Sequence, residues 1–155
     1  MPDYLLVKTL HIFSAIVLLG VGLGSVFYKF MADRSGNHEA MALTNRLVVL
    51  ADTWFTTPTL LIQPLSGLYL VARGGYAWQQ TWLQVGLVLY VVAVLCWLPV
   101  VVLQLRMRNT STEVVANGTA LSPAYWRDAH RWQLLGVPAF LAMLGILWLM
   151  VARPV

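Results

Sequence analysis

Four long apolar segments alternate with short polar connections along the chain, at residues 4–30, 47–72, 82–105 and 132–151. A helix needs roughly 20 apolar residues to cross a bilayer, and each segment meets that length. The pattern predicts an all-α fold, an integral membrane four-helix bundle with antiparallel up-down topology, forming a single transmembrane domain over residues 1–155. The first segment is too long for a signal-peptide core, so we expect it to stay in the mature protein.

Polar residues recur along the second segment at spacings of 4, 3, 4 and 3. They are Asp52, Thr56, Thr59, Gln63 and Ser66. This spacing places them on one helical face, which must meet other helices, water or a ligand because lipid cannot satisfy polar groups. Pro58 and Pro64 each remove a backbone donor, so we expect a kinked, polar-lined helix. Hydrogen bonding between helices is the alternative role of the Thr and Ser residues.

A related stripe follows the first segment and contains an imidazole. It consists of Lys8, His11, Ala15, Leu18, Gly22, Ser25 and Lys29. An ionisable residue inside a span is by default a functional-site hypothesis, so His11 is the leading candidate. Gly20 and Gly24 form a GxxxG pattern, which predicts close approach of a neighbouring helix or of a flat ligand.

His11 has four candidate roles: axial ligand to haem iron, ligand to another metal, proton carrier, or structural residue. Haem suits a narrow bundle because inward-facing ligands on helices can hold a planar cofactor. Met143 is predicted at the same depth as His11, since each lies about 10 Å below the outer boundary at 1.5 Å per residue. A His and Met pair is chemically sensible for iron, and gap filling is the alternative role of Met143.

Further cofactor contacts are predicted on the first two segments. Lys8 and Arg73 lie near the outer boundary, where they could pair with haem propionates or simply snorkel to the interface. Gln63 and Thr59 on the polar stripe, together with Gly22 on the first segment, are predicted to contact the haem edge, a quinone or a substrate.

Composition and charge support the membrane assignment and orient the chain. Hydrophobic residues make up 59% and charged residues 10%, whereas soluble domains carry about a quarter charged residues. No run of Lys and Arg indicates a nucleic-acid partner, despite the net charge of +4. Three basic residues lie with the termini and the second connection, and seven lie with the other two connections (Lys8, Arg73 and Arg153; Lys29, Arg34, Arg46, Arg106, Arg108, Arg127 and Arg131). This bias predicts periplasmic termini in a bacterial inner membrane.

A second polar cluster is predicted on the cytoplasmic side. Its members are Arg46, Asp52, His130 and Arg131. We expect Asp52 to pair with Arg46 or Arg131, either as an ion-paired helix entrance or as a site that passes protons or holds the acidic groups of a ligand.

Short motifs in all four segments carry a resemblance. Lys8-Thr-Leu-His11, Thr56-Thr57-Pro58, Trp82-Leu83 and Ala152-Arg153-Pro154 resemble the HemJ-type small-membrane protoporphyrinogen oxidase family. Residues 5–24 and 52–67 more closely resemble an uncharacterised bacterial family of four-span integral membrane proteins. The HemJ-type resemblance implies a b-haem protein that oxidises a porphyrinogen, with His11 as an iron ligand. The chain departs from it at Gly86, where that family has Lys, and at Thr59-Leu60, where it has Gly-Met.

The sequence therefore predicts a membrane protein that binds haem b through His11 and acts in electron transfer or redox chemistry as an oxidoreductase. Lipid, a quinone or porphyrin-type molecule, and a second copy of the chain are its expected partners. A non-enzymatic membrane subunit or a small-solute or metal permease is the alternative. The methionines do not cluster at ligand spacing, which argues against copper.

Overall fold

The computed structural model describes residues 2–153, and these are helical apart from short connections. The elements in chain order are α1 (Pro2–Ser35), α2 (His38–Ala51), a π-helix (Asp52–Thr56), α3 (Thr57–Gly74), α4 (Thr81–Asn117) and α5 (Pro123–Ala152). The expected all-α class is confirmed, and residues 2–153 contain no strand. Pro154, which closes the last motif of the resemblance, lies outside the described residues.

Three helices are long and apolar enough to cross a membrane: α1, α4 and α5. Large apolar side chains cover the outside of the protein, and Leu6 and Trp148 are 72% and 67% exposed. Such a surface suits lipid, because hydrocarbon imposes no penalty on apolar groups. The predicted second span is helical without a break from residue 38 to residue 74, but it is divided among α2, the π-helix and α3.

Pro58 explains why the second segment changes its helical type. A proline inside a helix has no N–H to donate, and its ring clashes with the carbonyl four residues earlier. The backbone N–H of Thr57 instead reaches back five residues to the carbonyl of Asp52, and the Thr57 hydroxyl donates to the same carbonyl at 2.9 Å. The proline thus interrupts the α-helical hydrogen-bond pattern with a single π-helical turn, and the expected kink stays a prediction.

Pro64 frees a second carbonyl, which a neighbouring helix satisfies. Leu60 would normally bond to the N–H of residue 64, and Pro64 has none. The hydroxyl of Tyr90 on α4 donates to the Leu60 carbonyl instead. This bond links α3 to α4 through the carbonyl that Pro64 leaves without a partner in its own helix.

Replacing Tyr90 by Phe tests this account of Pro64. Loss of the bond leaves the Leu60 carbonyl without a donor in a half-buried place, and we expect unfolding to become easier by about 1–3 kcal/mol. Pro64→Ala restores the missing N–H, so Tyr90→Phe should cost much less in that background. Unfolding titrations in mixed micelles give the free energy of unfolding of the unchanged protein, of each single variant and of the double variant, which together form a double-mutant cycle. Equal costs in the two backgrounds would show that the proline is irrelevant to the bond.

The helices pack in two pairs that α2 links. Helix α5 lies along α4, α3 lies along α1, and α2 contacts both α1 and α4. The largest buried apolar cluster lies where α2, α4 and α5 meet, and consists of Met41, Val100, Leu103, Met107, Tyr125, Ala129 and Trp132. The core is therefore concentrated toward the end of the molecule that holds the connections after α1 and α4.

Within residues 2–153, the GxxxG pattern of α1 makes no close contact with another helix, and the alternative of a flat ligand stays a prediction. A Cβ atom placed on Gly20 would meet nothing within 4 Å, and one on Gly24 would meet only Tyr28 of the same helix. The physical reason is that these glycines lie off the buried face of α1, which is formed by Ser14, Leu18 and Lys29.

Candidate functional site

His11 of α1 faces the polar stripe of α3 through Ser66. The imidazole Nδ1 lies 2.8 Å from the Ser66 Oγ. The Ser66 hydroxyl has one hydrogen, which it donates to the backbone carbonyl of Ile62. When the Ser66 hydroxyl donates to Ile62, His11 Nδ1 is the donor to Ser66, and the lone pair of the neutral ring then lies on Nε2.

The other ring nitrogen of His11 is open. The side chain is half-buried, and within residues 2–153 its Nε2 has no hydrogen-bond partner and is not among the sealed polar atoms. The ring lies against Gly67, where an added Cβ would be 3.4 Å from Cε1. This arrangement matches a metal-binding histidine, in which Nδ1–H is anchored by an acceptor and Nε2 is the ligand atom.

Gln63 and Ser14 fix the backbone around His11. The Gln63 amide donates to the His11 carbonyl at 2.9 Å and to the Ser14 hydroxyl at 2.7 Å. Ser14 in turn donates to the His11 carbonyl at 3.0 Å. These bonds hold α1 and α3 together around the imidazole, so Gln63 contributes to the position of His11 whether or not it touches a cofactor.

The remaining predicted cofactor residues lie in three different places. Thr59 is buried, and its hydroxyl bonds to the carbonyls of Phe55 and Thr56 in its own helix. Lys8 and Arg73 are exposed, with the Arg73 guanidinium 5.8 Å from the centre of the Tyr69 ring. Met143 and Gly22 line a central cavity whose lining does not include His11.

This central cavity has a volume of about 120 Å³ and lies between α1, the π-helix, α3, α4 and α5. Most of its wall is apolar. Polar residues line it from four elements: Ser25 from α1, Asp52 and Thr56 from the π-helix, Trp97 and Gln104 from α4, and Trp132 from α5. The polar stripe of the second segment is thus turned inward, as its spacing predicted, with Asp52, Thr56, Thr59 and Ser66 all buried.

Asp52 does not form the ion pair that the sequence suggested. In the part of the chain that the structure describes, the salt bridge is Lys29–Asp33, and Asp52 accepts a bond from the Thr56 hydroxyl at 2.8 Å. Arg46 lies six residues earlier, which in a helix points it about 120° away from Asp52. Arg46, His130 and Arg131 are exposed, so the expected cytoplasmic cluster does not assemble around Asp52.

A buried polar network that the sequence analysis did not anticipate joins four helices. Lys29 is 1% exposed, and its Nζ lies 2.9 Å from Asp33 Oδ2 and 3.2 Å from the Tyr125 hydroxyl. Tyr125 also donates to Asp33, while the Asn45 amide donates to the Tyr125 hydroxyl at 2.9 Å and to Ser111 at 3.1 Å. The available signal was the spacing of Lys29 and Asp33, which puts a cation and an anion on one helical face.

An apolar outer surface, three membrane-length helices and inward-turned polar groups together define an integral membrane protein. The family model described as "Predicted integral membrane protein (DUF2269)" matches residues 5–154, and the chain belongs to this family. The expected uncharacterised membrane family is thereby confirmed, whereas the comparisons give no support for similarity to the HemJ type. No curated protein and no solved structure matches the chain.

Proposed function

We propose that this protein binds haem b through Nε2 of His11 and serves in electron transfer or membrane redox chemistry. The observation that carries the proposal is the contact between His11 Nδ1 and Ser66, because it engages one ring nitrogen and leaves the other, Nε2, available as a ligand atom within an apolar helix. Bound haem supplies one-electron transfer. The contribution of the chain is to hold the imidazole in one tautomer and orientation, and the Ser66 acceptor increases its basicity.

The donor set fits an axial ligand, but the central cavity does not fit the macrocycle. Cofactor pockets usually measure about 300–1,000 Å³. The cavity has about 120 Å³, and His11 is not in its lining. Haem held by His11 would therefore lie outside this cavity, and Lys8 and Arg73 would be the cations available to its propionates. Met143 as a second iron ligand stays a prediction.

The proposed topology has four spans in an up-down arrangement, with both termini on the periplasmic side of a bacterial inner membrane. Helical residues 38–74 form the second span in this scheme. The bias of three basic residues against seven supports the orientation. The bonds of Tyr125, at the start of α5, to Lys29 and Asp33, near the end of α1, support the proximity of those two helix ends.

An oxidoreductase role with a porphyrin-type or quinone partner is the finer part of the proposal. It is supported by the short motifs around His11 and Thr56-Thr57-Pro58 that resemble the HemJ type. Gly86 occupies the place of a lysine in that family. This difference favours haem binding, rather than porphyrinogen oxidation, as the property that this chain shares with the HemJ type.

Absorption spectroscopy of the purified protein tests the proposal. We expect a Soret band and a reduced-minus-oxidised difference spectrum typical of b-type haem, in the full-length chain expressed with an ample supply of haem. Extraction of the haem, followed by its quantification against protein, gives the stoichiometry. A protein that is folded by circular dichroism and still lacks the Soret band would contradict the proposal.

A further inference from the structure

Asp52 is an ionisable side chain of the interior that the proposed haem site does not use. It is 8% exposed, and its Oδ1 accepts a hydrogen bond from the Thr56 hydroxyl at 2.8 Å. Within residues 2–153 its Oδ2 makes no hydrogen bond, yet this atom is not among the sealed polar atoms, so a water-sized molecule can touch it. Because Asp52 lines the central cavity, the open side of its carboxylate faces that space.

Two further polar groups of the cavity wall are open in the same way. The Gln104 amide and the Ser25 hydroxyl make no hydrogen bond in the part of the chain that the structure describes, and neither group is sealed. An interior water molecule needs two to four polar partners and takes up about 30 Å³. The cavity has about 120 Å³, so together with Asp52 these groups suit it to a small group of water molecules.

Charged side chains continue from the cavity toward the end of α1. Lys29 lies about 6 Å beyond Ser25 along the helix, and its ammonium is 5.9 Å from the centre of the Trp132 ring, which lines the cavity. Lys29 contacts Asp33 at 2.9 Å, and the Asp33 side chain is 11% exposed. The Lys29–Asp33 pair therefore lies between the cavity and the surface of the protein.

Polar side chains continue from the cavity in the other direction as well. Thr59 is buried, and the Gln63 amide donates to the Ser14 hydroxyl at 2.7 Å and to the carbonyl of the half-buried His11 at 2.9 Å. From His11 to Asp33 the α1 helix rises about 33 Å, and the hydrocarbon core of a bilayer is about 30 Å thick. We call these residues, with those of the cavity, the polar seam. The polar seam is as long as the membrane interior is thick.

We propose that this protein conducts protons across the membrane, with Asp52 as the proton carrier of the polar seam. Ionisable residues that face the interior of a membrane bundle mark proton relays. A proton from a cavity water adds to Asp52 Oδ2, and the carboxyl group then gives a proton to a water on its other side, which restores the carboxylate.

Asp52 has no competitor for this role in the cavity wall. Among the described residues that line the cavity it is the only titratable one, and the charged groups that follow it along α1, Lys29 and Asp33, are paired with each other. Conduction requires neither haem nor a charge on His11. It therefore goes beyond the proposed haem function and does not depend on it.

Proton flux into liposomes tests the proposal. The full-length protein is reconstituted, a potassium gradient with valinomycin sets the membrane potential, and an enclosed pH-sensitive dye reports the flux. We expect a flux above that of protein-free liposomes, and a loss of about tenfold or more in Asp52→Asn, which keeps the shape and removes the titratable group. Glu113→Gln makes the same change at an exposed carboxylate and should conduct as the unchanged chain does.

A cavity-filling variant tests the location of the path. A Cβ on Gly136 would meet nothing within 4 Å, so Gly136→Leu fills the cavity without displacing the helix, and its flux should fall as in Asp52→Asn. Gly20 has equally open surroundings and is exposed, so Gly20→Leu adds the same bulk outside the cavity and should leave the flux unchanged. Circular dichroism confirms that each variant is folded.

The outcomes separate this inference from the haem proposal. Asp52→Asn should keep the Soret band of the unchanged protein, because the carboxylate is not part of the haem site. Undiminished flux in Asp52→Asn, equal flux in Gly136→Leu and Gly20→Leu, or an unchanged chain that conducts no better than protein-free liposomes would each overturn proton conduction. None of these results would alter the assignment of His11.

Discussion

We expect the His11→Ala variant to lose the Soret absorbance of the unchanged protein almost completely. Removal of the imidazole takes away the iron ligand, while the cost to folding is small because the side chain is only half-buried. The haem-to-protein ratio after purification should fall by more than tenfold. His130→Ala is the matched control, because His130 is an exposed histidine whose loss should leave the spectrum unchanged.

Ser66 provides a graded version of the same experiment. Loss of the group that anchors a metal-binding histidine typically lowers metal affinity 10–100-fold, so Ser66→Ala should retain haem weakly. Ser66→Thr keeps a hydroxyl at the same position and should restore much of the affinity. Full haem content in His11→Ala would refute His11 as the ligand and would direct attention to His130.

Asp33→Ala is expected to cause the largest loss of stability. The substitution leaves the Lys29 ammonium, which is 1% exposed, without its carboxylate partner. Removal of one member of a buried ion pair costs about 3–5 kcal/mol, because the remaining charge stays desolvated. The free energy of unfolding in mixed micelles measures this loss. Glu113→Ala removes an exposed carboxylate from α4 and should change stability by no more than about 0.5 kcal/mol.

A double variant distinguishes a stranded charge from general damage to α1. Replacement of Lys29 by Met in the Asp33→Ala background removes both charges and keeps an apolar chain of similar length. Most of the lost stability should return, since the penalty arises from the unpaired ammonium. This account of the network would be contradicted if the double variant were as unstable as Asp33→Ala. It would also be contradicted if Asp33→Ala lost no more stability than Glu113→Ala.

The spacing of polar residues predicted the inward face of the second segment correctly, because polar side chains cannot be satisfied by lipid. Polar groups at spacings of 3 and 4 must share one side of a helix, and that side must avoid hydrocarbon. The interruption near Pro58 was also predictable, since a proline always removes a donor and crowds the preceding turn. Helical content and membrane class followed from the apolar segments in the same way.

The partners of individual polar groups were not predictable, because they depend on which helices lie side by side. Asp52 was predicted to pair with Arg46 or Arg131 because all three lie on the same predicted side of the membrane, and the structure gives it Thr56 and a cavity. Met143 matches His11 in depth, but depth does not fix rotation about the helix axis, and Met143 faces the cavity whereas His11 faces Ser66. Tyr90 could not be linked to Leu60 without knowing that α4 passes that point.

The single π-helical turn at Asp52–Thr56 has a consequence for the whole second segment. One additional residue in a turn rotates everything that follows by about 100°. Through this rotation one continuous stretch of chain serves two neighbours, with Asp52 directed to the interior cavity and Ser66 directed to the imidazole on α1. Deletion of one residue from the turn would swing the downstream half of the segment around its axis and carry Ser66 away from the imidazole on α1.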